Sequence, residues 1–223
     1  MTGSLAPGLG MILDMDGVLV DSNPIHRAAW VEYNRLHGLT TTSDMLEWMS
    51  GKRNDEIVRR FFGEGLLPEE VQRRGAEKES LYRQMTGGDV ERILVPGVRC
   101  FLQQYRTCPL GLATNAEPAN VDFILGRGGL REYFRVVVSG QDVQHAKPHP
   151  EIYMRTAELL GLEPRNCIVF EDSESGVGAA VAAGMRVIGV CTTHGYLPGT
   201  RLDIHNFLSG ALHSWVTAQV ASV

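Results

Sequence analysis

The sequence predicts an α/β protein, built as a parallel sheet with helices on both faces and a small helical module inserted after the first strand. Two observations carry this. Short apolar runs alternate with helical patterns from about residue 94 onward, and such alternation implies right-handed crossovers between parallel strands. Between the first apolar run and the rest lie roughly 65 residues that read as helix throughout, with no strand. The boundaries expected are 1–22 with 93–223 for the sheet and 23–92 for the insertion. The chain has 223 residues, 43% of them hydrophobic and 21% charged, which is ordinary for a globular protein. No apolar run reaches the ~18 residues of a membrane span. A net charge of −5 without a basic cluster excludes nucleic acid and anionic lipid as partners and leaves a small molecule.

The first strand is GMILD (10–14), an apolar run ending abruptly at DMDG. Asn23-Pro24 opens a helix, Pro being favoured at the first helical position, and its apolar residues are Ile25, Ala28, Ala29 and Leu36. Ser43–Met49 reads as a short helix. A third runs from Asn54 to Gly63, and a fourth from Pro68 to Gly87-Gly88. Trp30, Tyr33, Trp48, Phe61 and Phe62 supply the module's packing. Next come a helix opened by Pro96, the strand LGLA (110–113), a helix over 117–125 and the strand VVV (136–138). A helix from Pro148 to Leu160, the strand CIVF (167–170), an Ala-rich helix near 175–183 and the strand RVIGV (186–190) complete the series. DIHNF is an edge-strand candidate and 209–218 a last helix. Cys100, Cys108, Cys167 and Cys191 lack C-x-x-C spacing and read as free thiols, mostly buried. MTGSLAPGLG has no basic or apolar leader pattern, so the expected location is the cytoplasm. The composition fits a monomer or weak dimer.

Parallel sheets gather strand C-termini into one crevice, where ligands bind, and a module inserted after the first strand is expected to hang over it. Four polar groups follow apolar strands: Asp14 and Asp16, Thr114-Asn115, Lys147, and Glu171-Asp172. So many carboxylates around one lysine imply a divalent cation, and an all-oxygen set suits Mg²⁺ rather than zinc. Mg²⁺, lysine, hydroxyl and amide together suit a phosphoryl group. Asp14 can attack phosphorus, and Asp16, two residues on, can protonate the leaving oxygen and then deprotonate water. Gly17 allows a tight turn that brings backbone amides near phosphoryl oxygens. Thr114-Asn115 also reads as a helix N-cap, and Glu171-Asp172 as a cap of the helix near Ser175.

DMDGV (14–18), ATN (113–115), KPHPEIY (147–153) and VFEDSESG (169–176) resemble, in order, the four motifs of the haloacid dehalogenase superfamily. DGVLVDS, His26 and GKRNDEI further resemble its β-phosphoglucomutase-like and phosphoglycolate-phosphatase-like branch, which has a Rossmann-like core and a helical cap. The resemblance implies Asp14 as nucleophile, Asp16 as general acid/base, and Thr114 and Lys147 as phosphate binders. It implies Asp172, Asp14 and the Asp16 carbonyl as Mg²⁺ ligands, with Glu171 assisting. It also implies substrate contacts from His26 and from the Gly51, Lys52, Arg53 and Asn54 loop, alongside Gly17 and Asn115. His145, His149 and His194 receive no role.

The expected activity is Mg²⁺-dependent hydrolysis of a small phosphorylated metabolite, with a phosphosugar mutase as the alternative and a non-catalytic binding module behind both. A mutase's second phosphate anchors align with Ser50 and Asn54, neither of them cationic, although Lys52 and Arg53 lie close by. Haloacid dehalogenation has no use for Asp16, because halide leaves without a proton.

Overall fold

Met11, Ile12 and Leu13 are wholly buried, and with Gly10 they form β1 (Gly10–Leu13) at the centre of a sheet. The computed structural model describes residues 8–49 and 52–220 of the chain. Its remaining strands are β2 (Leu110–Ala113), β3 (Val136–Val138), β4 (Cys167–Glu171), β5 (Arg186–Val190) and β6 (Leu202–Ile204). The order is β3-β2-β1-β4-β5-β6, and every pairing is parallel. Met11 lies opposite Leu110 on one side and Ile168 on the other.

Successive strand residues feed opposite faces, as the period of two requires. Met11, Leu13, Ile168 and Phe170 join one apolar cluster, in which Phe101, Phe170 and Phe207 meet ring to ring. Ile12, Cys167 and Val169 join the other, with Tyr153 and Ala157. Both faces are therefore covered. The helices of this unit are α5 (Val98–Gln104), α6 (Pro118–Arg127), α7 (Glu151–Leu160), α8 (Glu174–Ala182) and α9 (Gly210–Val220). Two start later than their prolines suggest: α5 follows Gly97, whose φ is 84°, and α7 waits until the second proline of KPHP has passed. Cys108, Cys167 and Cys191 are buried, and Cys100 is exposed.

The chain divides into two compact units, Ser22–Gly88 and the remainder. Within the former lie α1 (Asn23–Leu36), α2 (Ser43–Trp48), α3 (Asn54–Phe62) and α4 (Pro68–Thr86). Thr42 caps α2 by accepting the Met45 N–H, and Pro68 opens α4. The buried stripe of α1 is Ala29, Trp30 and Tyr33, with Leu36 and Ala28 exposed, because the aromatic rings rather than the smaller apolar residues meet Phe61 and Phe62. Trp48 is partly exposed, with Lys52 and Arg60 over its ring. No helix among the described residues is long and apolar enough to cross a membrane.

Candidate active site

Asp14 follows β1 directly, and its N–H donates to the Phe170 carbonyl of β4, so strand pairing continues one residue past the strand. The turn behind it is tight: the Val18, Leu19 and Val20 N–H groups all face the Met15 carbonyl, and Gly17 N–H donates to Val20. Gly17 has φ of 76°, and a Cβ there would run into the Asp172 carboxylate. Two requirements thus coincide at one glycine. Gly17→Ala is expected to carry about 1–2 kcal/mol of backbone strain and to push Asp172 aside. Thermal denaturation should show the corresponding fall in melting temperature, and an unchanged value would refute the crowding.

Lys147 reaches the ends of three neighbouring strands. Its Nζ donates to Asp14 Oδ1 at 2.8 Å, to the Ala113 carbonyl at 3.0 Å and to Glu171 Oε1 at 2.6 Å, and it lies over the Tyr153 ring. Only 4% of the lysine side chain is exposed, and none of Glu171. Glu171 is fully engaged. Its Oε1 also accepts from the Tyr153 hydroxyl at 2.5 Å, while Oε2 accepts from Asp172 N, Ser173 N and Ser173 Oγ. Ser173, not either acid, caps α8. Asp172 Oδ2 accepts from Thr193, and Thr192 holds the Gly17 carbonyl at 2.8 Å.

Asp14, Glu171 and Asp172 place carboxylate oxygens within 4.8 Å of one another. Against them, among the described residues, stands the Lys147 ammonium, too little to balance them. Burial, partly offset by Lys147 and reinforced by Glu171, raises Asp14 to about 7. Burial and then Glu171 and Asp14 push Asp172 well above the carboxylate range. For Lys147 burial works downward, but the charges of Asp14 and Glu171 outweigh it and hold the lysine above its ordinary value. A divalent cation would remove the imbalance. With Glu171 occupied by protein donors, the ligands available are the Asp14 and Asp172 carboxylates, and Mg²⁺ characteristically takes one or two carboxylates and keeps waters or phosphate oxygens.

Thr114 is buried and accepts the Ala116 N–H at 3.2 Å, which leaves its hydroxyl hydrogen to donate. The helix after it begins only at Pro118, so Thr114 is not that helix's N-cap. Asn115 is exposed, and its Oδ1 accepts from Lys147 N. Asp16 is half-buried, between buried Met15 and Gly17.

The helical unit gathers a second polar cluster. His26 stacks on Tyr82 at 3.8 Å, and Lys78 Nζ lies 2.9 Å from His26 Nδ1 and 2.8 Å from Glu79 Oε1. The same Glu79 oxygen accepts from Asn54 Nδ2 at 2.6 Å. Burial alone would raise Glu79, yet Lys78 and His26 overcome it and hold the carboxyl down at about 2. Lys52 and Arg53 are exposed and paired with Glu56 and Asp55. Gly51 lies outside the described residues. Sequence reasoning missed Tyr153, Ser173, Lys78 and Glu79. Tyr153 stands inside the KPHPEIY motif, whereas nothing local marks Lys78.

Residues 10–184 match the haloacid dehalogenase-like hydrolase family model. The sequence is 32% identical over 181 residues to a fructose-1-phosphate phosphatase of Escherichia coli, covering 81% of this chain and 95% of that protein. It is 33% identical over 187 residues to a phosphorylated carbohydrates phosphatase of Thermotoga maritima, covering 81% and 84%. The fold superposes on a crystal structure of a family IA, variant 3 hydrolase from Entamoeba histolytica with a TM-score of 0.86 at 26% identity, covering 95% and 99%.

Proposed function

Because this chain belongs to the haloacid dehalogenase-like hydrolase family, we propose that it is a Mg²⁺-dependent phosphatase acting on a small phosphorylated carbohydrate or similar monoester. The observation that carries the reading is the buried Lys147 joining Asp14 to Glu171 with Asp172 beside them. The phosphatases of Escherichia coli and Thermotoga maritima support the substrate class.

In the proposed reaction Asp14 attacks phosphorus, the ester P–O bond breaks, and Asp16 gives its proton to the departing alkoxide. Asp16 then takes a proton from water, the hydroxide attacks phosphorus, the Asp14–phosphate bond breaks, and inorganic phosphate leaves. Lys147 and Thr114 hold phosphoryl oxygens. Asp14 and Asp172 would ligate Mg²⁺, whose charge, when bound, keeps both acids ionised and offsets the phosphoryl charge. Glu171 acts at one remove, fixing Lys147 by the bond described. Hydrolysis is preferred over transfer to a second sugar position because Asn54 is tied to Glu79, while Lys52 and Arg53 already face the acids Glu56 and Asp55 at the start of α3.

The metal part has its own thermodynamic test. Acids raised in the folded state stabilise it below the unfolded-state value of about 3.9 and lose that contribution as pH climbs through the folded value. For Asp14 the loss runs upward from about 3.9 and is complete by about 7. Mg²⁺ binds the ionised form, so it should raise the melting temperature by several degrees near about pH 8 and much less near about pH 5.5. A shift equal at both would remove Asp14 and Asp172 from the ligand set. For the activity itself, phosphate release from a panel of sugar phosphates, phosphoglycolate and nucleoside monophosphates should single out one or a few monoesters. Isomerised product without free phosphate would establish the mutase instead.

A further inference from the structure

The loop that carries Lys147 also brings together His145, His149 and Glu151, a donor set for which the phosphatase reaction has no use. One oxygen of Glu151 is the meeting point: Oε2 lies 2.9 Å from His145 Nδ1 and 3.8 Å from His149 Nδ1. The two imidazoles face each other at 4.6 Å between ring centres. All three ligand atoms lie within 4.8 Å of one another. Four-coordinate zinc with bonds of about 2.0–2.1 Å sets its ligands about 3.3 Å apart, so the observed spacings straddle that value. The carboxylate is already anchored, because Gln144 N and His145 N donate to its two oxygens at 2.8 and 3.0 Å. His149 Nδ1 accepts only a long 3.3 Å bond from Glu151 N, which a metal can displace. Both histidines are exposed, so an ion can arrive from solvent.

We propose that His145, His149 and Glu151 form a second metal site, for a borderline divalent transition-metal ion such as Zn²⁺, chemically distinct from the all-oxygen Asp14–Asp172 set. Two imidazoles and a carboxylate select Zn²⁺, Co²⁺ or Ni²⁺ over Mg²⁺, and water completes the coordination. The site has a consequence for the proposed phosphatase. Its histidines stand two residues either side of Lys147, and closing the donors to tetrahedral spacing draws that backbone inward. The Lys147 Nζ contacts, all between 2.6 and 3.0 Å, have no slack for such a shift. Occupancy is therefore inhibitory. Binding stands independently of the phosphatase reading, and only the inhibition rests on it.

The test uses the full chain in saturating Mg²⁺, titrated with Co²⁺ and separately with Zn²⁺. Wild type should develop the strong visible absorption of nitrogen-ligated, four-coordinate Co²⁺, and His145→Ala/His149→Ala should show only the faint absorption of six-coordinate oxygen ligation. Zn²⁺ affinity measured by calorimetry should fall at least about tenfold in that variant and in Glu151→Gln. Equal Zn²⁺ affinity in wild type and double variant, or a faint spectrum in both, would overturn the site. For the inhibitory role, Zn²⁺ should suppress phosphate release by wild type at least about tenfold more strongly than by the double variant. Equal suppression beside lost binding would overturn inhibition while leaving the site standing, and absence of any phosphate release would instead count against the phosphatase reading.

Discussion

Asp14→Asn is expected to abolish phosphate release, by at least about 10⁴-fold, while leaving the fold intact. The amide keeps the shape of the carboxylate at the end of β1, and its carbonyl oxygen can still accept the 2.8 Å bond from Lys147. What it loses is the charge needed to attack phosphorus. It also removes a carboxylate whose charge raises Asp172, so the variant's melting temperature should hold or rise. Phosphate assay and thermal denaturation on one preparation check both halves. Residual turnover within tenfold of wild type would refute a covalent intermediate on Asp14.

Lys147→Met should cost both activity and stability, since the side chain is the ammonium set against these carboxylates. Removing one partner of a buried ion pair leaves uncompensated charge, at about 3–5 kcal/mol. For a chain of this size each kcal/mol is worth about 2–4 °C, so a fall near 10 °C is expected by calorimetry. Turnover should drop at least about 10³-fold. The diagnostic is the double variant Lys147→Met/Glu171→Gln. Neutralising Glu171 removes the orphaned charge, so part of the stability should return, whereas activity should not. Additive losses of stability would show that the two side chains do not act as a pair.

Much of the sheet was legible because β1 and β2 are short, apolar and buried throughout, and the residue just past each is polar. LGLA, VVV and RVIGV became strands at the expected bounds. The crevice residues were legible for the same reason: strand ends in a parallel sheet converge whatever their separation in sequence. The partners were not. Glu171 reads as one more ligand until Tyr153, Ser173 and Lys147 are seen to occupy both of its oxygens. The grouping of His26, Lys78, Glu79 and Asn54 joins α1, α3 and α4, and no local pattern announces a contact between helices. The exposed Leu36 shows a related limit, as hydrophobicity alone does not reveal which stripe of a helix the aromatic residues will claim.

The central place of β1 shapes how the chain acquires its structure. Synthesised first, β1 has both edges unpaired until Leu110–Ala113 and then Cys167–Glu171 emerge. The helices from Asn23 to Thr86 need no such wait, since their own apolar cluster draws on residues made before β2 exists. The nascent chain can therefore gather this helical cluster while β1 still has open edges, the configuration that invites pairing with other chains. Sheet closure joins segments distant in sequence, the kind of contact that costs most chain entropy to form. Covering the edges of GMIL until both partner strands have emerged is expected to limit that pairing.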